Sequence, residues 1–300
     1  MARSQIGVQP LAGVAAAFLG LGTMGAPMAR RVAAEFPLTV WNRTRARADA
    51  FAGTAARIAT TPREAARGVN VVVTCVADGK ALEEVLGGTD GLLAGLEPDT
   101  LVVDMSTIGR AAAREAARAI GAAGGRFVDA PVSGSVGPAE RGELLALVGG
   151  ADPDVDRALP VIGTMCNRVL RAGGVGQGQA LKVVLNGIGA HHFVAFGSML
   201  ALAERAGLSR EVVVEAFTSG AFATPSYVGK REKVLARDYG DPHFTLALAL
   251  KDGALNLALQ EEVGLPLPVQ REIAREIARA VAEGLGDEDL FAIEKHYGKR

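Results

Sequence analysis

Cysteine and histidine are scarce in this sequence, which has two cysteines and four histidines among its 300 residues. Cys75 and Cys166 are too few for a disulfide framework, and the histidines show no metal-ligand spacing. Neither sign of charge is in excess, because the formal net charge is −1. We therefore expect no attraction to nucleic acid or to an anionic membrane. No unbroken apolar run reaches about 18 residues, which predicts no membrane span, and a reducing cytoplasm is the simplest compartment.

Length and composition predict a folded protein of two domains. A chain of 300 residues exceeds the usual size of one core, and its content of 49% hydrophobic and 22% charged residues is ordinary for a globular protein. Residues 1–11 are predicted to be a disordered extension. Residues 12–174 are predicted to form a nucleotide-binding domain, and residues 175–300 a helical domain for substrate and oligomerisation.

A glycine-rich turn follows the first apolar segment. Gly20, Gly22 and Gly25 fit the G-x-G-x-x-G spacing, between a predicted strand and a predicted helix. In a dinucleotide site the first glycine makes the turn, the second admits the pyrophosphate and the third lets the helix pack on the strand. Glycine-rich turns are common, so the motif gains its meaning from this strand–turn–helix context.

The second predicted strand, 37–41, ends in Asn42, Arg43 and Thr44. A dinucleotide site meets the adenosine ribose about twenty residues past the glycines. An acidic residue there would bind a ribose hydroxyl, whereas an arginine with hydroxyl and amide neighbours suits a phosphate. This favours NADP(H) over NAD(H), and a solvated basic helix start is the alternative interpretation.

Strands and helices alternate through the first half of the chain. Further strands are predicted at 69–75, 101–104, 126–130, 143–148 and 166–170, with helices between them. This alternation predicts a doubly wound parallel sheet whose ligands lie beyond the carboxyl ends of its strands. Polar residues follow two of those ends, at 104–107 and 129–135, where Ser133 and Gly134 could cradle a carboxylate. Ordinary turn chemistry is the alternative for both.

After the sheet, the pattern changes to helices alone. Lys182 and Asn186 stand four residues apart near the start of a long apolar helix, so they share one face. A lysine snorkelling from the helix edge is the alternative to a functional pair. The apolar residues of 181–206 predict a helix buried on most sides. Lys251 and Asp252 interrupt a second apolar helix, which suggests a site there.

Five ordered motifs resemble the β-hydroxyacid dehydrogenase family, from about Val14 to near the end of the chain. They are the nucleotide turn at 20–29, the loop Asp129-Ala-Pro-Val-Ser133-Gly134, the segment Gly176-x-Gly178-x-x-x-Lys182-x-x-x-Asn186, Phe244 with Lys251-Asp252, and the segment 284–289. The resemblance implies a Rossmann-type α/β domain followed by an all-α domain linked by a long helix. It also implies a homodimer or homotetramer acting on a small substrate that bears a carboxylate.

The same resemblance implies a function for individual residues. Lys182 would be the general acid/base, with Asn186 holding lysine and substrate. The implied substrate contacts are Ser133, Gly134, Phe244 and Asp252. The implied cofactor contacts are Gly20, Leu21, Gly22, Thr23, Met24, Asn42, Arg43, Thr44, Thr107 and Lys251, without a metal. The implied reaction is NADP-dependent hydride transfer between a small β- or γ-hydroxy acid and its semialdehyde or keto acid.

Departures from the family pattern keep alternatives open. Ser135 stands where many members have a second glycine, and the segment 218–222 differs from the hydroxyisobutyrate enzymes. Leu185 replaces the histidine of 6-phosphogluconate dehydrogenases, which argues against a sugar-phosphate enzyme of that type. The alternatives are an NADP-dependent imine reductase, a sugar-acid dehydrogenase of the same fold and a non-catalytic NADP-binding protein.

Overall fold

The structure is a computed structural model that describes residues 13–242 and 244–298. The chain divides into two compact units, and the boundary falls between Lys182 and Val183. The predicted boundary was eight residues earlier, between 174 and 175. The predicted extension at 1–11 lies outside the described residues.

The first unit is built on one sheet, which has nine strands in the described part of the chain. The strands are β1 (Ala16–Leu19), β2 (Leu38–Trp41), β3 (Arg57–Ile58), β4 (Val71–Thr74), β5 (Leu101–Asp104), β6 (Arg126–Asp129), β7 (Val132–Ser133), β8 (Leu144–Gly149) and β9 (Cys166–Gly173). Their order is β3-β2-β1-β4-β5-β6-β8-β7, and β9 pairs with β8. The run β3-β2-β1-β4-β5-β6 is parallel and has the doubly wound order of a dinucleotide-binding fold.

Helices follow most of these strands. They are α1 (Gly25–Ala33), α2 (Arg45–Asp49), α3 (Pro62–Ala66), α4 (Gly79–Leu86), α5 (Arg110–Ala122), α6 (Val136–Arg141) and α7 (Asp152–Met165), with a short 3-10 turn at Leu92–Gly95. Strand side chains alternate between two apolar clusters, one containing Phe18 and Val73 and the other containing Leu19 and Val72. Both faces of the sheet are therefore covered, as the sequence predicts for parallel strands.

The parallel prediction is wrong at one end of the sheet. β8 runs antiparallel to both β6 and β7, although it runs parallel to β9. The connection from β6 to β8 holds β7 and the short helix α6, and the chain turns back within it, since β7 pairs antiparallel with β8. An apolar run gives no signal for strand direction, which explains the error.

Apart from one isolated β-bridge between Thr245 and Asp289, the regular structure in the described part of the second unit is helical. Its helices are the continuation of α8 (Gln177–Arg205), α9 (Arg210–Ser219), α10 (Pro225–Ala236), α11 (Leu246–Val263), α12 (Pro268–Ala280) and α13 (Ile293–Gly298), with a π turn at Val281–Leu285 and a 3-10 turn at Leu290–Ala292. Side-chain oxygens cap three of these helices: Ser209 accepts from Val212 N, Thr224 from Tyr227 N and Thr245 from Leu248 N. Each cap satisfies a main-chain N–H group that has no partner within its own helix.

Helix α8 is less buried than its composition predicts. Val184, Ile188 and Leu202 are among its exposed apolar side chains, and 33% of its most apolar stretch is buried. The prediction of burial on most sides is therefore wrong for the single chain. Among the described residues, α8 is the one helix long and apolar enough to cross a membrane, by length and composition only. Core helices of soluble proteins pass the same test, so this is weak evidence for a span.

A buried ionic network ties the second unit together. Arg210 donates to Glu294 at 2.8 Å, to Glu204 at 2.7 Å and to the Val234 carbonyl at 2.9 Å. The Tyr239 hydroxyl donates to Glu294 at 3.1 Å. The carboxylate partners raise the pKa of Arg210 against the opposing effect of its burial. These bonds join four helices through one guanidinium group.

Candidate active site

The glycine turn has the conformation that a dinucleotide requires. Gly20 has φ +101°, and a Cβ there would lie 2.1 Å from the Cys75 carbonyl oxygen. A Cβ on Gly25 would lie 1.9 Å from the Gly20 carbonyl oxygen, so helix and turn pack too closely for any side chain. Gly22 has open space beside it, with only the end of Arg47 at 3.4 Å. The first turn of α1 contains no acidic residue, which leaves its amino end suited to an anion.

Asn42 fixes this turn to the end of β2. Its Oδ1 accepts from Leu21 N at 2.8 Å, and its Nδ2 donates to the Thr44 carbonyl at 2.9 Å. Arg43 is exposed and pairs with Glu84 at 2.9 Å. The two neighbours therefore differ. The Asn42 side chain forms hydrogen bonds within the protein, whereas the Arg43 side chain extends into solvent beside the turn. An exposed guanidinium can form charge-assisted hydrogen bonds to an anion.

Two more predicted site segments follow the parallel strands β5 and β6 along the chain. Thr107 is half-buried in the loop after β5, and Ser133 ends the short strand β7. Gly134 has φ +139°, a conformation that side chains rarely adopt, and its backbone is exposed. A Cβ there would lie 2.6 Å from Leu144 Cδ2. The geometry leaves the Gly134 main chain accessible, as a carboxylate-binding loop requires.

Two fully buried carboxylates stand behind these loops. Asp104 Oδ1 accepts from the hydroxyls of Thr74 at 2.8 Å and Ser106 at 2.7 Å. Asp129 accepts from the main-chain N–H groups of Gly176 at 2.6 Å and Gln179 at 2.9 Å. Burial raises the pKa of Asp129 to about 6, while the two main-chain hydrogen bonds oppose the rise and Asp104 adds to it. The sequence analysis placed both aspartates in polar segments at strand ends, with ordinary turn chemistry as the alternative, and did not predict these bonds.

Gln179 joins the start of α8 to the loop after β5. Its Oε1 accepts from Ile108 N at 3.0 Å and Gly109 N at 3.1 Å, and its Nε2 donates to the Ser106 carbonyl at 2.7 Å. The side chain is completely buried. The sequence analysis did not assign Gln179 a function. Its position, one helical turn before Lys182 and inside the predicted catalytic segment, was the available signal.

The glycines before Lys182 serve close packing within the first unit. A Cβ on Gly178 would lie 2.3 Å from the Leu147 carbonyl oxygen and 2.8 Å from Asp129 Oδ2. Gly176 has φ +87° and approaches Arg110. The first turn of α8 therefore lies directly on the strand ends. Lys182 follows in the next turn and is half-buried.

In the second unit, α11 holds the amide of Asn186. Asn186 Nδ2 donates to Asp252 Oδ2 at 2.5 Å, and Lys251 Nζ lies 3.1 Å from Asp252 Oδ1. Asp252 is buried, whereas Asn186 and Lys251 are half-buried. Among the predicted residues of this unit, the structure thus brings Asn186, Lys251 and Asp252 together. Asp252 therefore contacts one of these two neighbours with each of its carboxylate oxygens.

Other residues of the second unit extend this arrangement. Phe244 is half-buried against the apolar core, and its carbonyl accepts from Leu290 N at 3.0 Å. Asn256 Nδ2 donates to the Val183 carbonyl at 3.3 Å, and Gln260 Nε2 donates to Asn256 Oδ1 at 2.7 Å. Asp252, Asn256 and Gln260 repeat every four residues, so α11 carries a buried polar stripe. Sequence reasoning noticed its first member and missed the other two.

Two family models match the chain and together cover most of it. One, described as the NAD binding domain of 6-phosphogluconate dehydrogenase, matches residues 15–174. The other, described as NAD-binding of NADP-dependent 3-hydroxyisobutyrate dehydrogenase, matches residues 176–297. The first match includes the glycine turn and the whole parallel sheet, and the second includes Lys182 and Asn186.

Individual proteins resemble the chain over nearly its whole length. The chloroplastic glyoxylate/succinic semialdehyde reductase 2 of Arabidopsis thaliana is 33% identical over 93% of this chain and 78% of its own. The 3-hydroxyisobutyrate dehydrogenase of Mycobacterium tuberculosis, solved with L-serine, is 29% identical, with a TM-score of 0.84 over 94% of this chain and 98% of its own. A protein named Psf3, in complex with NADP⁺ and 2-OPP, is 26% identical, with a TM-score of 0.81 over 93% of this chain and 99% of its own. With the dinucleotide-binding sheet and the helical second unit, these likenesses identify the chain as an oxidoreductase of the β-hydroxyacid dehydrogenase family.

Proposed function

We propose that this protein is an NADP(H)-preferring enzyme that interconverts a small β- or γ-hydroxy acid and its semialdehyde or keto acid, with Lys182 as general acid/base. The proposal rests on one observation: hydrogen bonds from other elements hold α8 both before Lys182 and at Asn186. Main-chain bonds to Asp129 fix the first turn of this helix, and Asp252 holds the Asn186 amide at 2.5 Å. The similarity to a glyoxylate/succinic semialdehyde reductase supports the substrate class.

The proposed chemistry assigns a task to each group. The reduced nicotinamide, when bound, supplies the hydride. Lys182 donates a proton to the oxygen of the reacting carbonyl group in reduction and removes it in oxidation. General acid–base assistance of this kind contributes about 10²- to 10⁴-fold in rate. Ser133 and the Gly134 main chain bind the carboxylate, and Asn186 orients the lysine and the substrate.

The preference for NADP(H) rests on Arg43. Its guanidinium lies in solvent beside the glycine turn, and Glu84, with which it forms an ion pair, is itself half exposed. A phosphate on the ribose offers Arg43 charge-assisted hydrogen bonds that a hydroxyl does not. The NADP-dependent family matched by residues 176–297 and the NADP⁺ complex of Psf3 support the same preference.

A substrate panel tests the activity. NADPH oxidation would be followed with glyoxylate, succinic semialdehyde, tartronate semialdehyde and methylmalonate semialdehyde, and each assay would be repeated with NADH. We expect turnover of one or two of these aldehydes, with NADPH strongly preferred. Absence of turnover with every aldehyde, despite NADPH binding, would contradict the proposed substrate class.

Two variants of one residue test the mechanism. Lys182→Ala removes the acid, and Lys182→Arg keeps the charge but gives up no proton near neutral pH. We expect both to bind NADPH normally and to lose turnover by about 10²-fold or more. Near-normal turnover in Lys182→Ala would refute the assignment. Activity in Lys182→Arg alone would mean that the charge matters and the proton transfer does not.

The apolar surface of α8 supports a homo-oligomer, dimeric or tetrameric. Ile188, Met199 and Leu202 are each about half exposed or more in the single chain, with fractions of 52%, 48% and 60%. A second copy would remove this surface from water. Light scattering coupled to gel filtration gives the mass directly. We expect Leu202→Asp to lower that mass, and a monomeric native protein would refute this part of the proposal.

A further inference from the structure

Asp129 is placed where two parts of the candidate site begin. It is the last residue of β6, and the loop with Ser133 and Gly134 starts two residues later. Its carboxylate accepts the N–H groups of Gly176 and Gln179 at 2.6 and 2.9 Å, at the start of α8. The first amides of a helix have no partner within the helix, so a carboxylate supplied from a strand end can satisfy them.

The backbone of two other elements approaches this carboxylate closely. A Cβ on Gly149, which pairs with Asp129 across the sheet, would lie 2.7 Å from Asp129 Oδ1. A Cβ on Gly178 would lie 2.8 Å from Oδ2. Two glycines on different elements thus face the two oxygens of one side chain. The close fit holds the carboxylate, and with it the helix start, in one position.

Gln179 adds a second attachment from the helix side. Its amide group bonds to the main chain at Ser106, Ile108 and Gly109, in the loop that carries Thr107. Lys182 lies three residues further along α8, a rise of about 4.5 Å. One turn of helix therefore connects the Thr107 loop, the Ser133 loop and the lysine.

We propose that Asp129 and Gln179 are positioning residues that set the location of Lys182 relative to the loops after β5 and β6. This inference rests on the proposed function, because it takes Lys182 as the proton donor. Neither side chain touches a reacting atom in this scheme. Their effect passes through the main chain of the first turn of α8, and a displacement of about 1 Å at the reacting groups can cost on the order of 10²-fold in rate.

Asp129→Asn and Gln179→Met test the proposal. Asparagine keeps the size but offers one acceptor oxygen for two N–H groups, and methionine removes the bonds of Gln179 to the loop while leaving Asp129 intact. If Asp129→Asn does not fold, Gln179→Met carries the test. Asn70→Ala is the control, because Asn70 Oδ1 accepts from a main-chain N–H, that of Ala15 at 2.9 Å, just before the amino ends of the central strands β4 and β1.

The measurements separate positioning from a loss of stability. We expect both test variants to lower kcat by about 10- to 100-fold per folded molecule, with the dissociation constant of NADPH changed less than about threefold. The kinetic isotope effect with NADPH deuterated at the transferred position should rise, because chemistry becomes slower. A purely structural function would lower the folded fraction and leave kcat per folded molecule and the isotope effect unchanged, as we expect for Asn70→Ala.

Lys182→Ala, measured in the same series, distinguishes the two hypotheses. If it keeps its turnover, the proposed function fails and the positioning hypothesis fails with it. If Lys182→Ala is inactive while Asp129→Asn and Gln179→Met keep native kcat and isotope effect, only the positioning hypothesis is wrong.

Discussion

Gly178→Ala is the substitution whose cost the structure defines most closely. The new Cβ would lie 2.3 Å from the Leu147 carbonyl oxygen, where ordinary contacts begin at 3.4 Å. Leu147 belongs to the central part of β8 and cannot move alone, so the start of α8 must shift by about 1 Å. Overpacking of this kind costs about 1–3 kcal/mol in the free energy of unfolding. The same shift displaces Lys182, so we expect kcat to fall by on the order of 10²-fold.

Gly163→Ala is the matched control. Gly163 lies in α7 of the same unit, and a Cβ there meets no atom within 4 Å. Alanine is the better helix former, so this variant should gain about 0.5–1 kcal/mol and keep its activity. Urea denaturation and kcat per folded molecule would be measured for both variants. Equal stabilities of the two variants would refute the packing argument, and native kcat in Gly178→Ala would refute the link to Lys182.

Three further perturbations test other features. Arg210→Ala leaves the carboxylate of Glu294 buried without its charged partner, so the free energy of unfolding should fall by about 3–5 kcal/mol. The control is Arg237→Ala, at a side chain that is 56% exposed, which should lower the free energy of unfolding by less than about 1 kcal/mol. Urea denaturation that shows the same loss of stability in both variants would contradict this reasoning. Arg43→Ala should raise the dissociation constant of NADPH about tenfold or more and leave that of NADH unchanged. Fluorescence titration measures both constants, and an equal loss of affinity for NADPH and NADH would exclude the phosphate contact. The pKa of Asp129 is raised from its usual 3.8 to about 6, so the native state holds this proton more tightly than the unfolded state. The free energy of unfolding should then fall by about 3 kcal/mol as the pH rises from about 4 to about 6, and stay level above. Asp129→Asn should remove this slope, and the same slope in both proteins would refute its origin in Asp129.

Local patterns in the sequence predicted much of the fold. The spacing of Gly20, Gly22 and Gly25 predicted the turn, and at Gly20 and Gly25 only glycine tolerates the contacts found there. The alternation of strands and helices predicted the doubly wound sheet. Each of these features depends on residues close together in the chain.

Features that depend on distant residues were not predicted. The bonds of Asp129 to Gly176 and Gln179 join residues about fifty positions apart. At the sequence level, an aspartate after a strand is equally compatible with an ordinary turn. The exposed face of α8 was also missed, since composition alone does not say whether an apolar side chain packs within its own chain or against another.

The core of the second unit has a consequence for synthesis. Phe291 and Ile293, both almost completely buried, complete an apolar cluster that begins in α8, at the other end of this unit. No shorter nascent piece of the unit contains that whole cluster. Residues up to Lys182 hold a complete sheet with covered faces, so they are able to fold while the ribosome is still translating. Synthesis proceeds at about 5–20 residues per second, so the apolar surfaces of the helical unit stay uncovered for on the order of 10 s before its last residues are made. This interval is the stage at which the chain is most exposed to aggregation and to chaperone binding.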